Sequence, residues 1–156
     1  MKPRIYIDTS VIGGCFDEEF QEWSNKLFDE FIRGNYIAII SDVTTTELDD
    51  APNHVKGRID DLPPHCISYI KVDDEIKYLA SKYIELKAVS SNNLDDATHI
   101  AAASVNKADI LVSWNFKHIV NARRIKMYNS VNMMYGYQII DIRTPREVIN
   151  DDSEDI

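Results

Sequence analysis

The run Ile110-Leu111-Val112 constrains the fold more than any other stretch. Three consecutive apolar residues with no polar alternation describe a strand covered on both faces. Such strands belong to parallel sheets flanked by helices. Upstream, Ala97, Ile100, Ala101 and Ser104 recur at helical spacing and make a narrow face of small residues that lets a sheet approach closely. Asn92 or Asn93 can cap that helix, Asp95 and Asp96 favour its positive end, and Asn106-Lys107 supplies the turn out. Downstream, Trp114-Asn115-Phe116 breaks the apolar pattern at the carboxyl end of the strand, where open parallel sheets bind ligands.

The rest of the chain repeats this alternation. Residues 4–8 predict a strand ending at Asp8, with Thr9-Ser10 able to cap the next turn and Gly13-Gly14 as a loose connection. Phe20, Trp23, Leu27, Phe28, Phe31 and Ile32 predict an amphipathic helix over 18–33, closed by Gly34. These aromatics read as core rather than as a stacking platform. A strand over 36–40 leads through Ser41, as cap, into a helix from Asp42 that carries Glu47. Pro52 interrupts that helix, and a second short one covers 53–62. An extended segment over 67–72 precedes a helix capped by Asp73, in which Ile76, Leu79, Ala80, Tyr83 and Ile84 face inward. Beyond the central stretch, the pattern predicts a basic helix over 118–129, a loop over 131–136, a strand over 137–140 and a short helix over 145–149.

Strands that alternate with helices define an α/β fold around a mainly parallel sheet with right-handed crossovers. The 156 residues suit one domain, 1–149, followed by an acidic tail over 150–156 expected to be disordered.

A formal charge of −9 argues against general nucleic-acid affinity. Against it, Lys117, Arg123, Arg124 and Lys126, with His118 among them, form a local basic run able to meet phosphates, for which a solvated helix face is the plainer reading. Cys15 and Cys66 have no metal-type spacing and read as reduced core residues. No apolar run approaches the ~20 residues of a membrane span. The chain enters a strand without a signal-peptide pattern, so a cytoplasmic protein with no membrane partner is expected.

Asp8, Glu47 and Asp96 each fall at an element end that α/β topology tends to place along one edge of the sheet. Singly, each has a plainer role: a turn cap, a solvated helix residue, a helix-start acid. Together they pose an electrostatic problem. Two carboxylates ~4–5 Å apart repel by roughly 3–4 kcal/mol at an effective dielectric near 20, and three such pairs by about 10 kcal/mol. The cluster must take up protons or bind a cation. Oxygen-only ligands suit Mg²⁺ or Mn²⁺. His54, His65, His99 and His118 lack zinc spacing, and His99 reads as a hydrogen-bonded structural residue. The chemistry such a set supports is metal-assisted phosphodiester hydrolysis.

The ordered set Tyr6-Ile7-Asp8-Thr9-Ser10, Glu47, Asp96-Ala97-Thr98-His99-Ile100-Ala101 and Leu111-Val112-Ser113-Trp114-Asn115-Phe116 resembles the PIN-domain ribonucleases, in particular the VapC-type toxins of toxin–antitoxin systems. The resemblance implies a three-layer α/β/α sandwich, a homodimer, an RNA substrate and a small antitoxin that lays a segment across the groove. It implies that Asp8, Glu47 and Asp96 hold the metal. Asn115 would take the fourth site position, where many members have Asp, and could offer its carbonyl oxygen. Ser113 would orient a water or a neighbouring carboxylate. The function so implied is a Mg²⁺- or Mn²⁺-dependent RNA endonuclease, the toxin of a toxin–antitoxin pair. The alternative is a catalytically weakened PIN-like module that binds RNA or protein, with Asn115 marking the weakened site. A phosphoryl-transfer receiver domain fits less well, because the middle strand ends at Ile40-Ser41 without an acid.

Overall fold

The computed structural model describes the backbone of residues 1–154 and the side chains of 1–150. Five strands, β1 (Arg4–Ile7), β2 (Ile37–Ser41), β3 (Ile67–Ile70), β4 (Ile110–Val112) and β5 (Asp141–Arg143), form one sheet in the order β3-β2-β1-β4-β5. Every neighbouring pair is parallel. The helices are α1 (Thr9–Gly14), α2 (Gln21–Ile32), α3 (Asp42–Asp49), α4 (Asn53–Lys56), α5 (Asp74–Glu85), α6 (Leu94–Val105), α7 (Ala122–Met134) and α8 (Pro145–Glu154).

Alternation along β1 divides the helices into two layers. Ile5 and Ile7 face one core with Leu27, Phe28 and Phe31 of α2, Val55 of α4 and Val148 of α8. Tyr6 faces the other, with Leu79 and Tyr83 of α5, Ala97, Ile100 and Ala101 of α6, and Tyr128 of α7. The result is a three-layer α/β/α sandwich. Each wholly buried Leu or Phe is worth roughly 1.5–3 kcal/mol, so α2 alone ties its layer to the sheet firmly. Alanines 101–103 of α6 are fully buried, as its small-residue face requires.

From β1 the chain moves outward through β2 to β3, then returns to β4 on the opposite side of β1, where Ile7 pairs with Val112. The strand order therefore reverses between β1 and β4. In open α/β sheets the crevice at that reversal, beyond the carboxyl ends of the strands, is where ligands bind. Asp8 and Ser113 are the first residues past the two strands.

Several local expectations change. Gly13-Gly14 is not a loose connection: it ends α1, and a Cβ on Gly14 would lie 2.6 Å from Ser24 Oγ and 2.8 Å from Trp114 Nε1. The segment expected as one helix over 53–62 is α4 followed by a 3₁₀ turn, Gly57–Asp61. The basic helix begins at Ala122 rather than 118, because Asn121 accepts from the Arg123 and Arg124 N–H groups and caps it there. It continues to Met134 through the expected loop. The last strand is Asp141–Arg143 rather than 137–140. Asn129 holds both the N–H (2.8 Å) and the C=O (3.2 Å) of Ile140, and Asn132 takes the Gln138 carbonyl, so side chains occupy the groups that a ladder would use. Helix α8 runs past 149 to Glu154; the tail's side chains from 151, and residues 155–156 entirely, lie outside the described residues.

Candidate active site

Asp8 leaves β1 at the reversal point and is 4% exposed. It caps α1 by accepting from the Val11 N–H, so the plainer role is real. The same carboxylate also accepts from Ser10 Oγ at Oδ1 and Ser113 Oγ at Oδ2, both at 2.6 Å. Burial pushes Asp8 above the usual carboxylate range, opposed by the charge of His99 and by these donors.

Glu47 arrives from α3, which starts where Thr44 Oγ1 accepts from the Ser41 N–H. Its Oε1 accepts from Thr9 Oγ1 at 2.8 Å and lies 2.6 Å from His99 Nε2. Burial would raise Glu47, but the hydrogen bond and charge of His99, with the Thr9 hydroxyl, hold it below the usual range. His99, on α6, also meets the Tyr6 hydroxyl at Nδ1 (2.6 Å), and Tyr6 in turn reaches Ser41 Oγ (2.7 Å). Burial would pull the imidazole down; Tyr6, Glu47 and Asp8 outweigh it and push His99 up to about 10. His99 is hydrogen-bonded, as expected, and its surroundings favour the charged form of the imidazole.

Asp96 sits in the first turn of α6, one helical turn before His99. Burial raises its pKa; His99 and His118 lower it, while the charges of Asp8 and Glu47 raise it. The three expected acids thus lie within electrostatic reach of one another. The upward shifts of Asp8, Asp96 and His99 all act against the repulsion anticipated from sequence.

Ser113 and Asn115 behave differently from each other. Ser113, wholly buried, donates to Asp8 and accepts from the Asn115 N–H at 2.9 Å. Asn115 directs Nδ2 at Asp96 Oδ1 (3.3 Å), while its Oδ1 accepts from the Lys117 and His118 N–H groups (3.2 and 2.9 Å). Those two donors identify the oxygen and occupy it. The carbonyl expected to face a metal or water instead shapes the turn leading toward α7, and the amide steadies Asp96. Ser10, Thr9 and His99 are site residues to which sequence reasoning gave only plainer roles, as caps and as a structural histidine; the runs Asp8-Thr9-Ser10 and Asp96-Ala97-Thr98-His99 were their signals.

Among the described residues, no group of three His, Cys, Asp or Glu side chains stands close enough to form a metal cage. Mg²⁺ commonly uses one or two carboxylates, with water and substrate phosphate completing its shell. Both nitrogens of His99 are committed to Tyr6 and Glu47, so the donors left are carboxylate oxygens of Asp8, Glu47 and Asp96. Such a set fits a hard divalent cation and does not fit zinc.

The basic run divides. Arg124 turns inward and donates to the Ala88 carbonyl at 2.9 Å. Lys117 is exposed, and Arg123 and Lys126 border an open apolar groove of about 750 Å³ along α7. No helix among the described residues is long and apolar enough to cross a membrane.

No family model matches the chain, and no curated protein matches it in sequence. Among solved structures, it is similar to a chain of VapBC2 from Rickettsia felis, bound to a DNA fragment from their promoter. The TM-score is 0.53 at 17% identity, over 73% of this chain and 89% of that one. At that identity the likeness is one of fold, and it agrees with the α/β/α architecture expected from sequence.

Proposed function

We propose that this chain is a Mg²⁺- or Mn²⁺-dependent endoribonuclease, the toxin of a toxin–antitoxin pair, working in the cytoplasm as a homodimer restrained by a small antitoxin. The observation that supports the nuclease reading is that Asp8, Glu47 and Asp96, from three separate elements, lie within electrostatic reach of one another, with Asp8 at the β1/β4 reversal. The likeness to a VapBC2 chain supports the toxin reading.

The cation, when bound, supplies positive charge to the scissile phosphate and the departing alkoxide. The protein does the rest. Ser10 and Ser113 fix both oxygens of Asp8. His99 and Thr9 hold Glu47 in its ionised form. Asn115 orients Asp96 through Oδ1. Asp96, half-buried in the first turn of α6, contributes the third carboxylate.

One observation favours the second reading, a weakened binding module: Asn115 brings no charge and spends its carbonyl on a turn. A single experiment separates the two. Purified protein is incubated with a structured RNA pool in Mg²⁺, in Mn²⁺ and in chelator, beside Asp8→Asn prepared in parallel. Metal-dependent cuts that vanish in the variant are expected. Uncut RNA in every condition would favour the binding module.

A further inference from the structure

We propose that the aromatic-walled cavity beside the Asn115 loop receives an unpaired base of the RNA strand next to the cleaved phosphate. This rests on the ribonuclease reading and extends it to how the strand is held.

The cavity, about 380 Å³, is lined by Phe20, Trp23, Trp114, Phe116, Arg146 and Glu147, among others. That volume falls within the range of small-ligand pockets. Its position is set by the four residues after β4. Ser113 and Asn115 send their side chains to Asp8 and Asp96. Trp114 and Phe116, the alternate residues, line the cavity. Acid cluster and cavity are therefore separated by little more than the span of two residues, ~7 Å.

The coupling is also rigid. The Trp114 N–H donates to Ser10 Oγ, which itself donates to Asp8, and the indole N–H donates to Ser24 Oγ. Phe20 stacks on Trp114 with centroids 4.4 Å apart and planes at 19°. Phe116 is tilted against both, at 6.4 and 6.3 Å, and leaves 51% of its surface exposed. Nothing in the packing of the core calls for that exposure. Two of the α2-region aromatics read as core from sequence, Phe20 and Trp23, thus border an open cavity, while Phe28 and Phe31 are wholly buried.

The lining matches a nucleotide better than an apolar peptide. Aromatic walls accept a flat π-face whatever its sequence. Arg146, with Cζ 5.4 Å from the Trp23 ring centroid, places a guanidinium at the rim for a backbone phosphate. Glu147 accepts from the Thr144 N–H and hydroxyl through Oε1, leaving its second oxygen for a base amino group. An aliphatic segment would strand these charges and that of Glu19, which also lines the cavity. Stacking also supplies affinity that does not depend on charge, which a chain of net charge −9 needs in order to hold RNA.

Both tryptophans of the chain line this cavity, so their fluorescence reports its occupancy without a label. A short single-stranded RNA, and a series of the same RNA with one abasic position moved along it, are titrated in Mg²⁺ into the Asp8→Asn protein so that no strand is cut. The intact RNA should quench saturably. Phe116→Ala in that background should weaken binding roughly 5- to 100-fold, the equivalent of one stacked base, and Phe116→Tyr should restore it. One abasic position should reproduce the loss and add nothing to Phe116→Ala. Unchanged melting of Phe116→Ala excludes a folding defect. RNA that binds without quenching, and equally well to Phe116→Ala, would overturn the proposal while leaving the nuclease reading to the cleavage assay. If no RNA binds and the wild type also cuts none, the two fail together.

Discussion

Ser113→Ala is the perturbation from which most can be learned. The Ser113 hydroxyl joins the two halves of the site: it donates to Asp8 Oδ2 at 2.6 Å and accepts from the Asn115 N–H at 2.9 Å, with no exposed surface. Losing a bond to a carboxylate costs about 1.5–3 kcal/mol, and the partly buried Asn115 N–H left without a partner adds up to ~1–3 kcal/mol, the figure for a buried donor. The two losses share one atom, so the sum is an upper figure, and roughly 2–5 kcal/mol is expected. For a chain of this size each kcal/mol lowers Tm by about 2–4 °C, which puts the drop near 5–15 °C. A second readout tests the role rather than the packing. The hydroxyl favours the charged form of Asp8, so its removal raises the Asp8 pKa further. Cation binding requires the deprotonated carboxylate, so its pH midpoint should move upward. Ser113→Thr keeps the hydroxyl and should keep the midpoint. Urea unfolding and Mn²⁺ titration across pH measure both effects. A variant as stable as the wild type, with an unmoved midpoint, would refute the assignment of Ser113 as the Asp8 donor.

Three further outcomes rest on the same geometry. His99→Gln removes an imidazolium whose pKa is raised to about 10, so its contribution is full below the ordinary value near 6.5 and is lost as pH rises toward 10; the stability gap to wild type, roughly 1–3 kcal/mol at pH 6, should narrow by pH 10, and a constant gap in urea unfolding would contradict the charge. Gly14→Ala forces a methyl against Ser24 Oγ and Trp114 Nε1 and should cost about 1–3 kcal/mol by the same assay, whereas wild-type stability would mean the contact relaxes freely. Arg123→Glu with Lys126→Glu should weaken RNA binding and flatten its salt dependence, measured by filter binding at several salt concentrations; Arg124 is left intact because it holds the Ala88 carbonyl, and an unchanged salt slope would make this face a solvated surface only.

Legibility in the sequence tracked signal length. The buried strands β1, β2 and β4, the Ser41 and Asp73 caps and the small-residue helix α6 carried continuous patterns, and they formed where expected. β5 did not, because it is a three-residue edge strand whose only buried member is Ile142. The apolar Ile139-Ile140 beside it drew the assignment, although Ile139 is 67% exposed and Ile140 is held by Asn129. The start of α7 was missed because asparagine side chains, at 115 and 121, punctuate that turn without glycine or proline. In the site, the three acids were singled out from their positions at element ends. Their partners were not. The bonds from Tyr6 to His99 and from Glu47 to His99 join residues 93 and 52 positions apart, and no local pattern encodes such a pairing. The amide of Asn115 was legible as a departure from Asp, but which of its atoms faces Asp96 depends on two backbone donors fixed only by the folded turn.

Direct cation binding tests the central claim most closely. Mn²⁺ is titrated into the wild type, Asp8→Asn, Asp96→Asn and, as a control on the exposed face of α2, Glu22→Gln, with the free ion followed by its paramagnetic resonance signal. Saturable binding by the wild type and by Glu22→Gln, weakened at least tenfold in both aspartate variants, is the expected result. Binding that is absent from the wild type, or equal in all four proteins, would contradict an acidic cation site at the β1/β4 reversal.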